Sequence, residues 1–556
     1  MSPGVVVNNR HLAARSGLMA QWLSQGLHSG RPLGDEIRRG AEAWPETRVI
    51  FGSHERPWET TTGVLYQEAL QCAAGLQESG FRQGDVIVLQ VPNWHEGMVL
   101  FLAALHCGLV VVPVVHFYGA AELAFILGQT GARALAVPDR WGKINFAERV
   151  AGLGALPALE HIIVLGEGAL GSRDLPWQSI MGRGASKDAS VPGLDGSEIC
   201  LINFTSGSTA APKGALHSHQ TIGAEVRNFT FPEARDGSAM MLWCGPAGHI
   251  GGVISWLRPF LCREGAVYLD QYDGALALAL MDQHGVNLFG GAPYHGNQIF
   301  DQGEAQVLGG LKGFVVGGAG VPPQLVERAE ALGIRAGRSY GSTEHPTITG
   351  SAPGASLAKR ACTDGAPLPG NQVRIVDDGG EVLPVGSAGE IVSMGPELFL
   401  GYLDPVHNET AFTQDGWFRT GDIGVLDEEG YLTIVDRKKD IIIRGGENIS
   451  SKEVEDLLAR HPAVVEAAAV ACPDPAYGER VAAVVRLRPG QTLDLEEVRA
   501  HFVAQGVAKQ KTPEYLVVVD DLPRSPLGKV QKMTLRKEIV SLIESNPTAT
   551  RQEGKP

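Results

Sequence analysis

The sequence predicts an α/β protein. A large N-terminal lobe of α/β layers carries a distorted β-barrel subdomain, and a small α+β domain follows it. Three observations predict this. Helical patterns alternate with short β-branched runs, as in "LYQEALQCAAGLQESG" (65–80) before "DVIVLQV" (85–91), and such alternation builds mostly parallel sheets covered by helices. Near residue 365 it gives way to strands and turns, "NQVRIVDDGGEVLP" (371–384) and "GEIVSMG" (389–395), the barrel-like part. Finally, 556 residues exceed what one core supports.

Taken in order, the start "MSPGVVVNNRHLAARSG" lacks a continuous apolar stretch and reads as no secretory signal. The seven cysteines are scattered without a CxxC pair, the usage of reduced thiols in a cytoplasmic protein. The run "MVLFLAALHCGLVVVPVV" (98–115) is long enough to span a membrane, but His106, Gly108 and Pro113 interrupt it. It reads as a buried helix followed by a buried strand. "AAELAFILGQTG" (120–131) and "RALAVP" (133–138) repeat the helix–strand alternation.

The first domain is expected over 1–435 and the second over 436–545, with a disordered tail at 546–556. "YLTIVDRKKDIIIRGGENIS" (431–450) reads as strand, charged turn, strand and Gly loop. Ser450 and Glu453 form a capping box that opens a helix. Two strands, a helix over 494–504, the strand "EYLVVVD" and a last helix over 530–543 complete it. Lys532, Arg536 and Lys537 read as solvated charges on that last helix.

A net charge of −15 argues against nucleic acid as a partner. The 71 glycines are roughly double the usual ~7% share, which suits tight loops and close backbone approach to ligands. Among the histidines, His217, His219, His284, His295 and His345 show no metal-ligand spacing.

One stretch carries chemistry by itself: "TSGSTAAPKG" (205–214). It is not a P-loop, because Pro212 and Gly214 stand where that motif needs Gly and Ser/Thr. It has the donors of a phosphate grip all the same: hydroxyls of Thr205, Ser206, Ser208 and Thr209, backbone beside Gly207, and Lys213. The polar amphipathic run after it (217–229) reads as a helix whose N-terminus adds its dipole.

This loop resembles the phosphate loop of the adenylate-forming (AMP-dependent synthetase/ligase) superfamily, and the chain most resembles its acyl-CoA synthetase branch. "GGAG" (317–320), "YGSTE" (340–344), "GEIVSMGPELFLGYL" (389–403), "GWFRTGD" (416–422), "DRKKDIIIRGGENIS" (436–450) and "LPRSPLGKVQK" (522–532) follow in that family's order. Ala210 departs from a common Gly, which strains the loop if that position needs a positive φ.

The resemblance implies a carboxylate that attacks the α-phosphorus of ATP, releasing pyrophosphate, and a thiol that then displaces AMP from the acyl-adenylate. It also assigns roles. Residues 205–214 hold the outer phosphates. Gly318 and Ala319 line the purine, Tyr340 stacks on it, and Gly341 lets backbone approach. Thr343 meets the α-phosphate and Glu344 holds Mg²⁺. Asp422 and Arg437 bind the ribose, and His249 lies near the acyl carboxylate. Lys529 bridges the nucleophile and the α-phosphate. Lys439 is the hinge, and Gly445 and Gly446 flank the coenzyme A channel.

"WCGPAGHIGG" lacks the Asp that pairs with an amino-acid substrate, so a free fatty, alicyclic or aromatic acid is expected. Gly251 and Gly252 are expected to leave it space. ATP, Mg²⁺ and coenzyme A are the implied cofactors and co-substrate. No transmembrane segment enters, and a homodimer is compatible with this reading. The alternatives are a fatty acyl-AMP ligase loading a carrier protein, a luciferase-like monooxygenase, and a non-catalytic nucleotide- or acyl-binding homologue.

Overall fold

The computed structural model describes residues 10–168, 170–181, 193–205, 212–229, 237–445, 447–475, 477–524, 530–545 and 550–551. The chain divides into two compact units. The first comprises Met1–Val373 with Ser393–Arg419, and the second Arg374–Val392 with Thr420–Pro556. The boundary read at 435/436 therefore falls inside the second unit, in the strand Leu432–Arg437.

The first unit is built on two large sheets. One has nine strands and is parallel through its middle: Gly313–Gly317 lies beside Arg335–Tyr340, and Leu288–Gly291 beside Met240–Trp243. The other has eight strands, with a parallel centre and an antiparallel hairpin, Ile199–Thr205 against Lys213–Ser218. The run 98–115 folds as a buried helix, His95–His106, and a buried strand, Val110–Pro113. Every residue from Gly97 to His106 is buried, because the helix is covered on all sides. That is why its sequence shows no polar stripe. No helix among the described residues is long and apolar enough to cross a membrane.

In the second unit the strands after 365 form an open four-stranded sheet, Gln372–Val376, Gly389–Met394, Phe418–Leu426 and Leu432–Arg437 in that order. Among the described residues it does not close into a barrel. A further sheet pairs Val464–Asp474 with Gly478–Leu487 antiparallel, and the latter with Tyr515–Val518 parallel. Helices Ser451–Ala459, Leu495–Ala504 and Lys532–Ser545 accompany it.

Half of the expected capping box forms. Ser450 Oγ accepts from the Glu453 N–H (3.1 Å), but the Glu453 carboxylate pairs with Lys511 at 2.7 Å. The helix after it is tied to the preceding strand through Ser451, whose hydroxyl donates to Asp436 (3.0 Å). Two charges expected to be solvated are not. Lys532 donates to Ser451 Oγ (2.8 Å) and pairs with Glu455, while Arg536 donates to the Lys439 carbonyl (2.8 Å) and pairs with Glu479. Both side chains are half-buried, and nearby carboxylates supply their partners.

Candidate active site

The loop 205–214 starts from a different scaffold than the sequence suggested. Thr205 and Lys213 are register partners at the end of an antiparallel hairpin. The strand Lys213–Ser218 separates the loop from the next helix, which begins at His219 with Ser218 as its cap. The helix dipole therefore does not act at the loop. Ser206, Gly207, Ser208, Thr209 and Ala210 lie outside the described residues.

That strand aims the side chains beyond the loop. Side chains two apart share a face of a strand, so Lys213 and His217 point the same way. The Lys213 ammonium sits 5.2 Å from the Tyr402 ring centroid. The Tyr402 hydroxyl donates to Glu344 Oε1 at 2.6 Å. His217 Nε2 donates to the Thr343 carbonyl at 2.8 Å. Burial pulls the His217 pKa down to about 4, so the ring is neutral and this tautomer is the one the carbonyl requires. The end of this hairpin and the segment 340–344 are thus joined within the first unit.

Neither linking residue stands out in the sequence. Tyr402 lies in the quoted stretch 389–403, and its strand Gly401–Tyr402 pairs with Ala215 and Leu216. Its contact with Glu344 crosses 58 positions, which no local pattern reveals. His217 is readable in principle: a residue four beyond Lys213 on a strand shares its face. Reading 217 as helical hides that.

Tyr340 and "GGAG" meet at one edge of the nine-stranded sheet. Gly317 and Ser339 are parallel partners, so Gly318 and Ala319 leave one strand beside the point where Tyr340 and Gly341 leave the next. Carboxyl ends of adjacent parallel strands are where open α/β sheets bind ligands. Gly318 has φ +76°, and a Cβ on Gly341 would lie 1.9 Å from the Pro346 carbonyl oxygen. Both positions need glycine. Tyr340 and Glu344 are buried and Thr343 is half-buried.

His249 follows the parallel strand Met240–Trp243 and caps the short helix Ile250–Ser255. It lines a small cavity with Val115, Phe117, Tyr118 and Phe204, the Phe117 ring 6.3 Å away. The two glycines beside it differ. Nothing lies within 4 Å of a Cβ on Gly251, but one on Gly252 would meet the Pro246 carbonyl oxygen at 2.0 Å. Gly252 therefore serves helix packing and does not open space for a ligand.

In the second unit, Asp422 and Arg437 are register partners on antiparallel strands, with Arg437 Nε 3.3 Å from Asp422 Oδ1. Asp422 is buried and Arg437 exposed, an arrangement with an acceptor and a donor side by side. Lys439 is exposed in the turn beyond, its pKa lowered by desolvation and then by the Arg437 charge. Gly445 has φ +58° and donates to the Tyr477 carbonyl at 2.8 Å. Gly446 and Lys529 lie outside the described residues.

The chain is similar to known proteins along most of its length. A family model described as AMP-binding enzyme matches residues 37–403, and one described as AMP-binding enzyme C-terminal domain matches 453–529. A medium-chain fatty-acid–CoA ligase of Escherichia coli is 34% identical over 530 residues, covering 94% of this chain and 93% of the relative. A salicylyl-CoA synthase / salicylate adenylyltransferase of a Streptomyces species is 32% identical, covering 94% and 96%. Among solved structures, ATP-bound MatB from Rhodopseudomonas palustris superposes with a TM-score of 0.80 at 26% identity, covering 91% and 98%.

Proposed function

We propose that this chain, which belongs to the AMP-binding enzyme family, joins a free apolar carboxylic acid to coenzyme A in two steps. It is an AMP-forming acid–thiol ligase. In the first step a carboxylate oxygen bonds to the α-phosphorus of ATP and pyrophosphate leaves. In the second, the thiol sulfur bonds to the acyl carbon, the thiol proton is released and AMP leaves. The observation that carries the reading is the chain of contacts Lys213–Tyr402–Glu344. It supports the reading because it brings an ammonium and a carboxylate together at the end of the hairpin Ile199–Thr205 and Lys213–Ser218.

The roles are those that the resemblance implies, and the residue types suit them. The hydroxyls of Thr205, Ser206, Ser208 and Thr209 and the Lys213 ammonium grip the outer phosphates. Thr343 meets the α-phosphate, and Gly318, Ala319, Tyr340 and Gly341 receive the purine. Asp422 accepts from the ribose hydroxyls and Arg437 donates to them. Glu344 is suited to Mg²⁺: one oxygen takes the Tyr402 hydroxyl, and the described residues contain no cluster of three or more His, Cys, Asp or Glu. Mg²⁺ is held in this way where few carboxylates and the substrate's own phosphates supply the oxygens, and when bound it would neutralise phosphate charge. Lys439 serves as the pivot of a second domain beginning at 436, with Gly445 and Gly446 beside the thiol's path. The apolar lining beside His249 favours a fatty or aromatic acid.

The test is a panel of medium-chain fatty and aromatic acids with ATP, Mg²⁺ and coenzyme A, following AMP and thioester together. Equal amounts of the two are expected with an apolar acid. AMP-linked acid without thioester would overturn the acceptor assignment, and no AMP with any acid would overturn the reading itself.

One glycine offers a sharper check. Gly341→Ala forces the loop away from Pro346, and displacements of about 1 Å at a reacting centre cost roughly 100-fold in rate. Pyrophosphate exchange into ATP should fall by about that factor while thioester formation from supplied acyl-adenylate falls less. Normal exchange would mean that segment 340–344 does not contact the nucleotide.

A further inference from the structure

Two carboxylates are buried behind the segment 340–344, and the mechanism above uses neither. Glu225 is 4% exposed and Glu397 0%. Glu225 Oε1 accepts from the Thr347 hydroxyl at 2.6 Å, and Glu397 Oε1 from the Asn228 amide at 2.6 Å. The Oε2 atom of each is buried and has no hydrogen-bond partner among the described residues. Burial pushes both carboxyl groups well above the ordinary carboxylate range, and the Glu397 charge raises Glu225 further.

Two cations face the pair, Arg258 lowering the Glu225 pKa and Arg227 that of Glu397, each by less than burial raises it, and both are engaged with other carboxylates. Arg258 is fully paired with Glu264, and Arg227 pairs with Glu36. His345 Nε2 is 3.7 Å from Glu397 Oε2, but burial pulls its pKa down to about 3, so it brings no charge. It donates to Asn371 Oδ1 instead (3.3 Å), with Ser393 Oγ against Nδ1 at 2.9 Å. Asn371 in turn donates to the carbonyls of Thr347 and Ile348. The residues directly after Glu344 are thus held by a polar cluster whose acceptors outnumber its donors.

We propose that Glu225 and Glu397 share one proton at neutral pH, and that this proton braces residues 345–347 and so positions Thr343 and Glu344. Two bare carboxylates buried within electrostatic reach of one another repel, and a proton on one relieves that repulsion. Glu225 and Glu397 are positioning residues, and the proposal rests on the nucleotide reading of 340–344.

The shared proton ties stability and rate to pH. Both carboxyls are raised in the folded state, so it holds a proton that the unfolded chain has lost. Stability therefore falls as pH rises from about 4.5, where free Glu ionises, to the raised native value. Glu397→Gln replaces the protonated acid by a neutral group of the same shape. It should flatten that slope and move the alkaline limb of the adenylation rate up by about one pH unit or more. Glu225→Gln should do the same. Infrared titration of the wild-type protein should show a protonated carboxyl C=O band that disappears on the alkaline side and is absent or shifted in either variant.

If neither variant folds, Thr347→Val decides the matter, since loss of the hydroxyl donor to Glu225 must shift that band. No such band in the wild-type protein would overturn the shared proton. A band with an unchanged alkaline limb in the variants would overturn the brace and leave the ligase assignment standing. Failure of pyrophosphate exchange at neutral pH would instead sink the ligase assignment.

Discussion

Lys529→Ala is expected to lower adenylation by about 10²–10³-fold, the effect of removing one preorganised charge from a transition state. Thioester formation from supplied acyl-adenylate should stay within about tenfold of wild type. The resemblance in "LPRSPLGKVQK" supplies the role, and the stem around it supplies the mechanics. Arg524 and Val530 pair as an antiparallel bridge, the Gln531 N–H donates to the Pro523 carbonyl at 2.7 Å, and Arg524 is paired with Glu466. The flanking residues Arg524 and Val530 are therefore fixed to the second unit. The carboxylate and the α-phosphate repel each other as they approach, and an ammonium between them offsets that charge only in the first half-reaction. Rates of pyrophosphate exchange and of thiolysis, measured separately, test this. Equal losses in both would refute a lysine that serves one half-reaction.

The parts legible in the sequence are those fixed by local pattern. The run 98–115 announced a buried helix and strand because full burial leaves no polar face to interrupt it. Cap and turn residues at 450–453 marked a helix start, although the partner of Glu453 was Lys511, which lies 58 positions away. The phosphate reading of 205–214 rests on residue type alone. Its scaffold was not, because "KGALHS" becomes a strand only by pairing with Ile199–Thr205. Non-local contacts hid the rest. Nothing near Tyr402 in sequence indicates Glu344, and Gly251 and Gly252 look identical until Pro246 packs against one of them. The strands after 365 were expected to be antiparallel or to form a distorted barrel; antiparallel pairing is present, and strand count alone does not decide closure.

Glu344→Gln should have an effect as large as the lysine change, and its geometry lets charge be separated from position. Glutamine keeps an oxygen that accepts from the Tyr402 hydroxyl, so the side chain stays placed while the negative charge is lost. If Glu344 holds Mg²⁺, exchange should fall by about 10²–10³-fold, and calorimetry should show ATP binding that no longer strengthens when Mg²⁺ is added. Tyr402→Phe makes the opposite cut: the charge remains and its orienting hydroxyl is lost. Partners that orient a ligand in this way are worth roughly 10–100-fold in metal affinity or activity, so the Mg²⁺ concentration for half-maximal exchange should rise by a factor in that range. Burial and the neighbouring Glu344 push the Tyr402 phenol far above its ordinary value, so it remains a neutral donor and the deficit should not depend on pH between 6 and 9, roughly the span over which free phenols too stay protonated. An unchanged Mg²⁺ requirement in both variants would show that Glu344 and Tyr402 only shape the loop, and would move the cation to other ligands.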